Sequence, residues 1–350
     1  MATFGTTFGT TDSTFPNCVN RGQTTSATIP TEIPLEIPLI DFARFTQGDD
    51  RDRQQVAQDI YAACHDVGFL YLRHSGLESH RIRQAFAASE DFFNLPPAVK
   101  QQVAWSHASS NRGYIGVERE SLDPTRPSDL KEAFNLGKER SPAELAARPD
   151  DPSVQPNQWP ADLPEFRTTM MAVYAHFATV AHDIFRAFAL ALGLPENYLR
   201  DRHQSPWFTL RLLHYPPLGV APKPGQIRAG SHSDYGSLTL LVQDDVGGLE
   251  VQRADGTWVP APAIPDTVII NTGDLMERWS NGVFRSTQHR VALPTGDKVN
   301  RDRYALAFFC EPDPDVEIAA LPTCVTGDRP AQYPPITTQA HRMQRLNATY

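Results

Sequence analysis

The chain has 350 residues, 40% of them hydrophobic, and a formal net charge of −9, which excludes the basic face of a nucleic-acid binder and leaves a small molecule as the expected partner. Its four cysteines, Cys18, Cys64, Cys310 and Cys324, lie far apart without a Cys-x-x-Cys pair, which excludes a disulfide framework and a thiolate zinc site. No apolar run is long enough to cross a bilayer and the first residues lack a signal-type apolar stretch, so a cytoplasmic monomer that works away from membranes is expected.

Residues 1–32 are dominated by Thr, Ser and Gly, with Thr3-Phe4-Gly5-Thr6 followed by Thr7-Phe8-Gly9-Thr10. Such a composition buries too little surface to offset the entropy of ordering, so a flexible tail is expected. An N-terminal region then spans 33–150. It opens on the Pro-punctuated apolar stretch Ile33–Phe42, which suits an edge strand. A helix from about Arg53 to Val67 is stopped by Gly68, a strand follows at Phe69–Leu72, and a second helix runs from Glu78 to about Asn94. A supporting region, 151–205, is built on a helix from Asp162 to Leu192, where Phe166, Met170, Val173, Phe177, Val180, Ile184 and Phe188 recur at spacings of three and four. Asp162 with Glu165 reads as its capping box. The last region, 206–350, changes to short strands at 207–215, 236–243, 248–252, 257–260, 266–272, 283–292 and 303–310, with a C-terminal helix near 337–348. The expected fold is therefore α+β, a double-stranded β-helix (jelly roll) core with flanking supporting helices.

The chemistry concentrates in that last region. His232-Ser233-Asp234 is followed 55 positions later by His289 (289 − 234). Side chains at i and i+2 of an extended segment point the same way, so His232 and Asp234 can grip one ion from a single strand end, with His289 supplied by a distant strand. Two imidazoles and a carboxylate hold non-haem Fe(II) on one face and leave about three positions open. A 2-oxo acid fills two of these by chelation and dioxygen takes the last. The far carboxylate of 2-oxoglutarate then calls for a fixed bidentate cation, and Arg303 is the candidate. On an extended 303–310, Arg303, Ala305, Ala307 and Phe309 share one face, the wall of a cavity. On 207–215, Thr209, Arg211, Leu213 and Tyr215 face one way, which brings Arg211 and Tyr215 toward the same site. A charge in an apolar strand is costly unless paired, so Arg211 either contacts a ligand or makes an internal salt bridge. The same ligands also suit a zinc hydrolase or a non-catalytic sensing barrel.

These residues resemble the Fe(II)/2-oxoglutarate-dependent dioxygenase superfamily, in its isopenicillin N synthase-like branch. The likeness runs through nearly the whole chain after the tail, in Ile37–Phe42, Asp66–Leu72, His232–Gly236, Gln243–Leu249 and Asn271–Asp274. It implies an enzyme that binds Fe(II) through His232, Asp234 and His289, holds 2-oxoglutarate with Arg303 and Tyr215, uses O2 with ascorbate as reductant, and hydroxylates or otherwise oxidises a C–H bond of a small molecule. Asn111–Tyr114, Leu210–Pro216, Arg228–Gly230, Arg278–Asn281 and Gln344–Tyr350 are similar to fungal members that hydroxylate pyrimidines. That likeness implies a flat ring stacked on Phe309, with Arg211 and Asn111 on its polar edge and Tyr235 close by. The family usually has Ser two residues after the anchoring Arg, where this chain has Ala305. Losing that hydroxyl costs about 0.5–1.5 kcal/mol of co-substrate binding, and Tyr215 offers a replacement. An isopenicillin N synthase-like oxidase, needing no oxo acid and using Arg303 for a substrate carboxylate, is the alternative within the same resemblance.

Overall fold

The computed structural model describes Met1 and residues 37–105, 111–147, 154–204 and 207–349. The expected tail at 1–32 lies outside these residues, apart from Met1. Twelve strands carry the architecture: β1 (Leu39–Asp41), β2 (Phe69–Arg73), β3 (Gly113–Ile115), β4 (Glu132–Gly137), β5 (Thr209–Tyr215), β6 (Ala229–His232), β7 (Leu238–Gln243), β8 (Leu249–Gln252), β9 (Trp258–Pro260), β10 (Thr267–Thr272), β11 (His289–Val291) and β12 (Arg303–Cys310). Eight form one sheet in the order β1-β2-β10-β7-β12-β5-β4-β3, and four form a second in the order β6-β11-β8-β9. The Pro-flanked β1 is an edge strand, as its sequence predicts, and pairs parallel with β2.

Strand alternation explains why the large sheet has two apolar faces. Leu210 and Leu212 of β5, Leu238 and Leu240 of β7, Val268 and Ile270 of β10 and Leu306 and Phe308 of β12 join one core with the helices. Leu213, Ile269, Ala305 and Ala307, each one residue out of step, join a second core with Ala229, Leu249, Val251 and Val291 of the small sheet. The functional side chains emerge from this second, inter-sheet core. Behind the first, the Pro164–Ala191 helix buries a stripe from Phe166 to Phe188 and stacks Phe177 on Phe308 at 5.2 Å. It is flanked by the Asp50–Asp66 and Ser79–Phe93 helices.

Three local expectations change. The long helix starts two residues later than Asp162 predicts: Pro164 occupies its first turn, Leu163 is the N-cap, and no side chain caps it. Proline at that position gives up no hydrogen bond, because an N–H there would have no partner within the helix, and its fixed φ suits the first turn. Of the strand expected at 283–292, only His289–Val291 pairs, because Ser286 and Thr287 bond elsewhere, to Asp274, Glu277 and Val67. The Asp274–Trp279 helix and strands β3, β4 and β6 are additions to the predicted elements. Gly68 does end its helix as expected, at φ +78°, and a β-carbon there would lie 2.6 Å from the carbonyl oxygen of Arg285. Cys64, Cys310 and Cys324 are buried, and among the described residues no helix is long and apolar enough to cross a membrane.

One buried histidine links the helical layer to the site. His203 is fully buried, stacked on Phe185 at 3.8 Å, with Nδ1 2.7 Å from the carbonyl of Leu199 and Nε2 3.1 Å from Ser237 Oγ. Burial pushes its pKa from 6.5 down to about 3, so the folded protein keeps it neutral while the unfolded chain protonates it. Stability from this group is complete above pH 6.5 and is lost as pH falls toward 3, at about 2 kcal/mol between pH 6.5 and 5. Urea denaturation at those two pH values should show that loss, with a visibly smaller one in His203→Asn. Equal losses in both proteins would show that His203 is not the group responsible.

Candidate active site

His232 ends β6 and His289 begins β11, and the antiparallel register sets them directly opposite each other, with ring centroids 4.3 Å apart. This pairing turns a long sequence separation into adjacency. Each ring is oriented by a carbonyl: His232 Nδ1 lies 2.8 Å from Gly230 O, and His289 Nδ1 lies 3.1 Å from Thr287 O. Donating from Nδ1 leaves each Nε2 with its lone pair free for a metal. Phe69 braces His289 edge-on at 5.3 Å.

Asp234 follows just past the end of β6. Its Oδ2 accepts from Thr239 Oγ1 at 2.6 Å and Asn271 Nδ2 at 2.7 Å, on strands whose register places those two residues opposite each other. Oδ1 is thereby turned toward the imidazoles, 4.0 Å from His232 Nε2 and 3.8 Å from His289 Nε2. The Asp234 turn packs so closely on β10 that a β-carbon at Gly273 would sit 2.7 Å from the Asp234 carbonyl oxygen. One donor atom from each of the three residues falls within 4.8 Å of the others, the arrangement a divalent ion needs.

Protonation favours the same use. Burial, reinforced by neighbouring His289, holds His232 well below its ordinary pKa and hence neutral. Burial alone would raise the Asp234 carboxyl, but the two imidazoles and its hydrogen bonds to Asn271 and Thr239 outweigh that and keep it low. Neutral imidazole and carboxylate are the ligating forms.

The cluster opens into a cavity of about 160 Å³. Asn111, Arg211, Tyr215, Tyr235 and Phe309 all line it, so five sequence-predicted residues share one space with the three metal-ligating ones. Asn111 adopts φ +46°, a left-handed conformation that Asn tolerates, and its Oδ1 accepts from Asn135 Nδ2 at 2.5 Å. Of the two readings of Arg211, the internal salt bridge is present, to Glu120, and the residue lines the cavity as well. From the C-terminal helix, Arg342 reaches the cavity, with Nη1 3.1 Å from Glu311 Oε2. That helix spans Thr338–Thr349, close to its predicted range.

Arg303 stands apart from the cavity lining, buried to 1% exposure at the near end of β12. Its Nε donates to Gly247 O at 2.7 Å and its Nη2 to Gln243 Oε1 at 2.8 Å, while Tyr215 lies with its ring centroid 4.6 Å from the guanidinium carbon. Nη1 has no hydrogen-bond partner. Arg228 lies 6.0 Å from the same Tyr215 ring, is equally buried, and leaves its Nε unpartnered. Among the described residues neither guanidinium makes a direct ion pair, so two buried cations lie near the Tyr215 ring with only the longer-range charge of Asp244, and of Asp302 for Arg228, to offset them. Such a place fits an anionic co-substrate.

Sequence reading missed Arg228, Thr239, Asn271, Lys131, Glu120 and Asp129 as site residues. Thr239 and Asn271 carried a legible signal, being polar positions inside apolar strands. Lys131, Glu120 and Asp129 sit in a segment without periodicity and carried none.

Two family descriptions match the chain: "non-haem dioxygenase in morphine synthesis N-terminal" over residues 37–162, and "2OG-Fe(II) oxygenase superfamily" over residues 206–312. A 2-oxoglutarate-dependent dioxygenase of Dothideomycetidae sp. (strain 11243) is 33% identical over 335 residues, covering 89% of this chain and 96% of that relative. The validamycin A dioxygenase of Streptomyces hygroscopicus subsp. limoneus is 32% identical over 295 residues, covering 83% and 80%. Full-length Neurospora crassa T7H, solved with alpha-KG and thymine, superposes with a TM-score of 0.80 at 36% identity, covering 90% of this chain and 97% of that one. These matches set aside the zinc hydrolase and the sensing barrel. Fe(II), 2-oxoglutarate and dioxygen are the reagents, with ascorbate as the usual reductant. A ligating cluster embedded in the matched segment and relatives aligned along most of their length lead to one assignment: the chain belongs to the Fe(II)/2-oxoglutarate-dependent dioxygenases.

Proposed function

We propose that this enzyme oxidises a C–H bond of a small, flat, ring-bearing molecule, of which a pyrimidine is the model case. The observation that carries the proposal is the convergence, in one cavity, of the His232, Asp234 and His289 donors with the Phe309 ring and the Arg211 and Asn111 side chains. When bound, Fe(II) would activate dioxygen, the oxidant of the reaction, with 2-oxoglutarate and the substrate C–H bond each supplying two of the four electrons that reduce it. His232, Asp234 and His289 hold the ion in the proposed reading. Arg303 anchors the far carboxylate of 2-oxoglutarate through its unpartnered Nη1, with the Tyr215 ring fixing the guanidinium plane. Phe309 offers a face for stacking, Arg211 and Asn111 offer donors to the edge of the ring, and Tyr235 closes the side near Arg345. Support for a planar substrate comes from the thymine bound in Neurospora crassa T7H. We assign the two facing sheets to an open jelly roll, residues 33–150 to an N-terminal region, 151–205 to a supporting helix and 206–350 to the catalytic core.

A test is to measure succinate from the Fe(II)-loaded protein with 2-oxoglutarate, with and without nucleobases and small planar natural products. At least one planar molecule should raise succinate formation well above the uncoupled rate. Oxygen consumption without succinate would instead identify an oxidase that draws its electrons from the substrate.

A further inference from the structure

Beside His232 the cavity wall contains an ion network built into the fold. Lys131 is only 4% exposed, lines the cavity, and places its ammonium 2.5 Å from Asp129 Oδ2 and 3.3 Å from Glu120 Oε2. Glu120 also takes the guanidinium of Arg211, the other basic residue of that wall. Asp129 continues the chain: its Oδ1 accepts the backbone N–H of Gly230 at 2.8 Å, and the Gly230 carbonyl orients His232. A buried ammonium flanked by two carboxylates is poor value for stability alone, since an apolar side chain of the same volume would serve a core as well. An ammonium also has three N–H donors; Asp129 accepts one and Glu120 lies at ion-pair distance, which leaves a donor for a ligand.

We propose that Lys131 is a specificity-determining residue whose third N–H donates to an acceptor oxygen of the substrate, while Arg211 serves a second acceptor. This inference rests on the proposed function and narrows its substrate class. Each basic residue lining the cavity already faces a carboxylate: Lys131 faces Asp129, Arg211 faces Glu120, and Arg342 faces Glu311. A substrate carboxylate would therefore enter a wall whose charges are balanced, losing its hydration without gaining an unpaired cation. An uncharged carbonyl keeps the balance and still receives both hydrogen bonds. The same cavity is also lined by Leu122, Leu213, Leu241, Leu249 and Val291, apolar surface that suits an apolar frame. The site selects uncharged molecules that carry two carbonyl-type oxygens on a compact, largely apolar or flat skeleton.

The experiment compares the full-length wild type with K131M and K131R, using thymine as the uncharged dicarbonyl probe and orotate as a matched ring bearing a carboxylate. Fe(II) and 2-oxoglutarate binding is followed by the visible charge-transfer band under anaerobic conditions, and substrate use by succinate. Wild type should turn over thymine at least tenfold more efficiently than orotate. K131M should raise the KM for thymine roughly tenfold to a hundredfold while the band persists, the range expected for one hydrogen bond to a charged donor, and K131R should recover part of it. An unchanged KM in K131M with the band intact, a preference for orotate, or a wild type whose band forms but whose succinate responds to neither probe would each overturn the inference. Absence of the band in the wild type would instead overturn the reading of the metal and co-substrate site on which it stands.

Discussion

Replacing His289 by Ala is expected to abolish substrate-driven succinate formation and to weaken divalent-metal binding by more than about 100-fold, because substitutions of partners that merely orient a ligand already cost 10–100-fold. His289 supplies one of the three donors, and among the described residues no other His, Cys, Asp or Glu joins that cluster. Its removal leaves His232 and Asp234 on one strand end, unable to enclose an ion from two sides. The ring also packs edge-on against Phe69, so some loss of apo stability is expected, on the order of 1–3 kcal/mol for the lost buried area. Separating these effects requires a Co(II) titration followed by its visible absorption, beside urea denaturation of the apo protein. A variant that folds but no longer develops the Co(II) spectrum fits the assignment. Turnover that survives the change would show that the third ligand lies elsewhere.

The way this cluster was legible in the sequence explains what else was not. His232 and Asp234 are joined by strand periodicity, a local rule, and His289 follows because an extended segment was recognisable around it. The register that sets His289 against His232 is a non-local fact, fixed by the packing of β11 between β6 and β8. Alternation on β5 and β12 correctly grouped Arg211 with Tyr215 and Ala307 with Phe309. It could not tell that Arg303, on the same face, packs against the Tyr215 ring and does not line the cavity, because alternation gives a side and no depth. The 283–292 segment shows the opposite failure. Its composition permits a strand, yet Thr287 gives its hydroxyl to the carbonyl of Val67 at 2.7 Å, and Ser286 gives its own to Asp274 Oδ1 at 2.6 Å, so pairing starts only at His289. The Lys131 network was invisible for a related reason. Its members come from 120, 129, 131 and 211, and only the pairing of β4 with β5 brings the last of these beside the others.

Arg303→Leu is the second large effect. In the proposed site it should raise the KM for 2-oxoglutarate by roughly 30-fold to several thousand-fold, the range that follows when truncating one partner of a buried, hydrogen-bonded charge pair costs 2–5 kcal/mol. Two features of the surroundings argue for the upper part of that range. Arg303 makes no ion pair among the described residues and keeps Nη1 without a partner, so the bound dianion would be its one directly paired anion, with Asp244 acting at longer range. Ala305, two residues further along the strand, offers no hydroxyl to share the work. Against these stands Arg228, a second buried guanidinium near the Tyr215 ring, which still offers positive potential after Arg303 is gone. Arg303→Lys separates charge from geometry. An ammonium keeps the field but cannot reproduce the fork that now binds Gly247 O and Gln243 Oε1 together, so an intermediate KM is expected. The check is a 2-oxoglutarate titration of the anaerobic charge-transfer band, which reads co-substrate binding without requiring the prime substrate. If Arg303→Leu binds 2-oxoglutarate as tightly as the wild type, Arg303 is a structural cation under Tyr215, and the anchor must be sought among the basic residues that line the cavity itself, Lys131, Arg211 and Arg342.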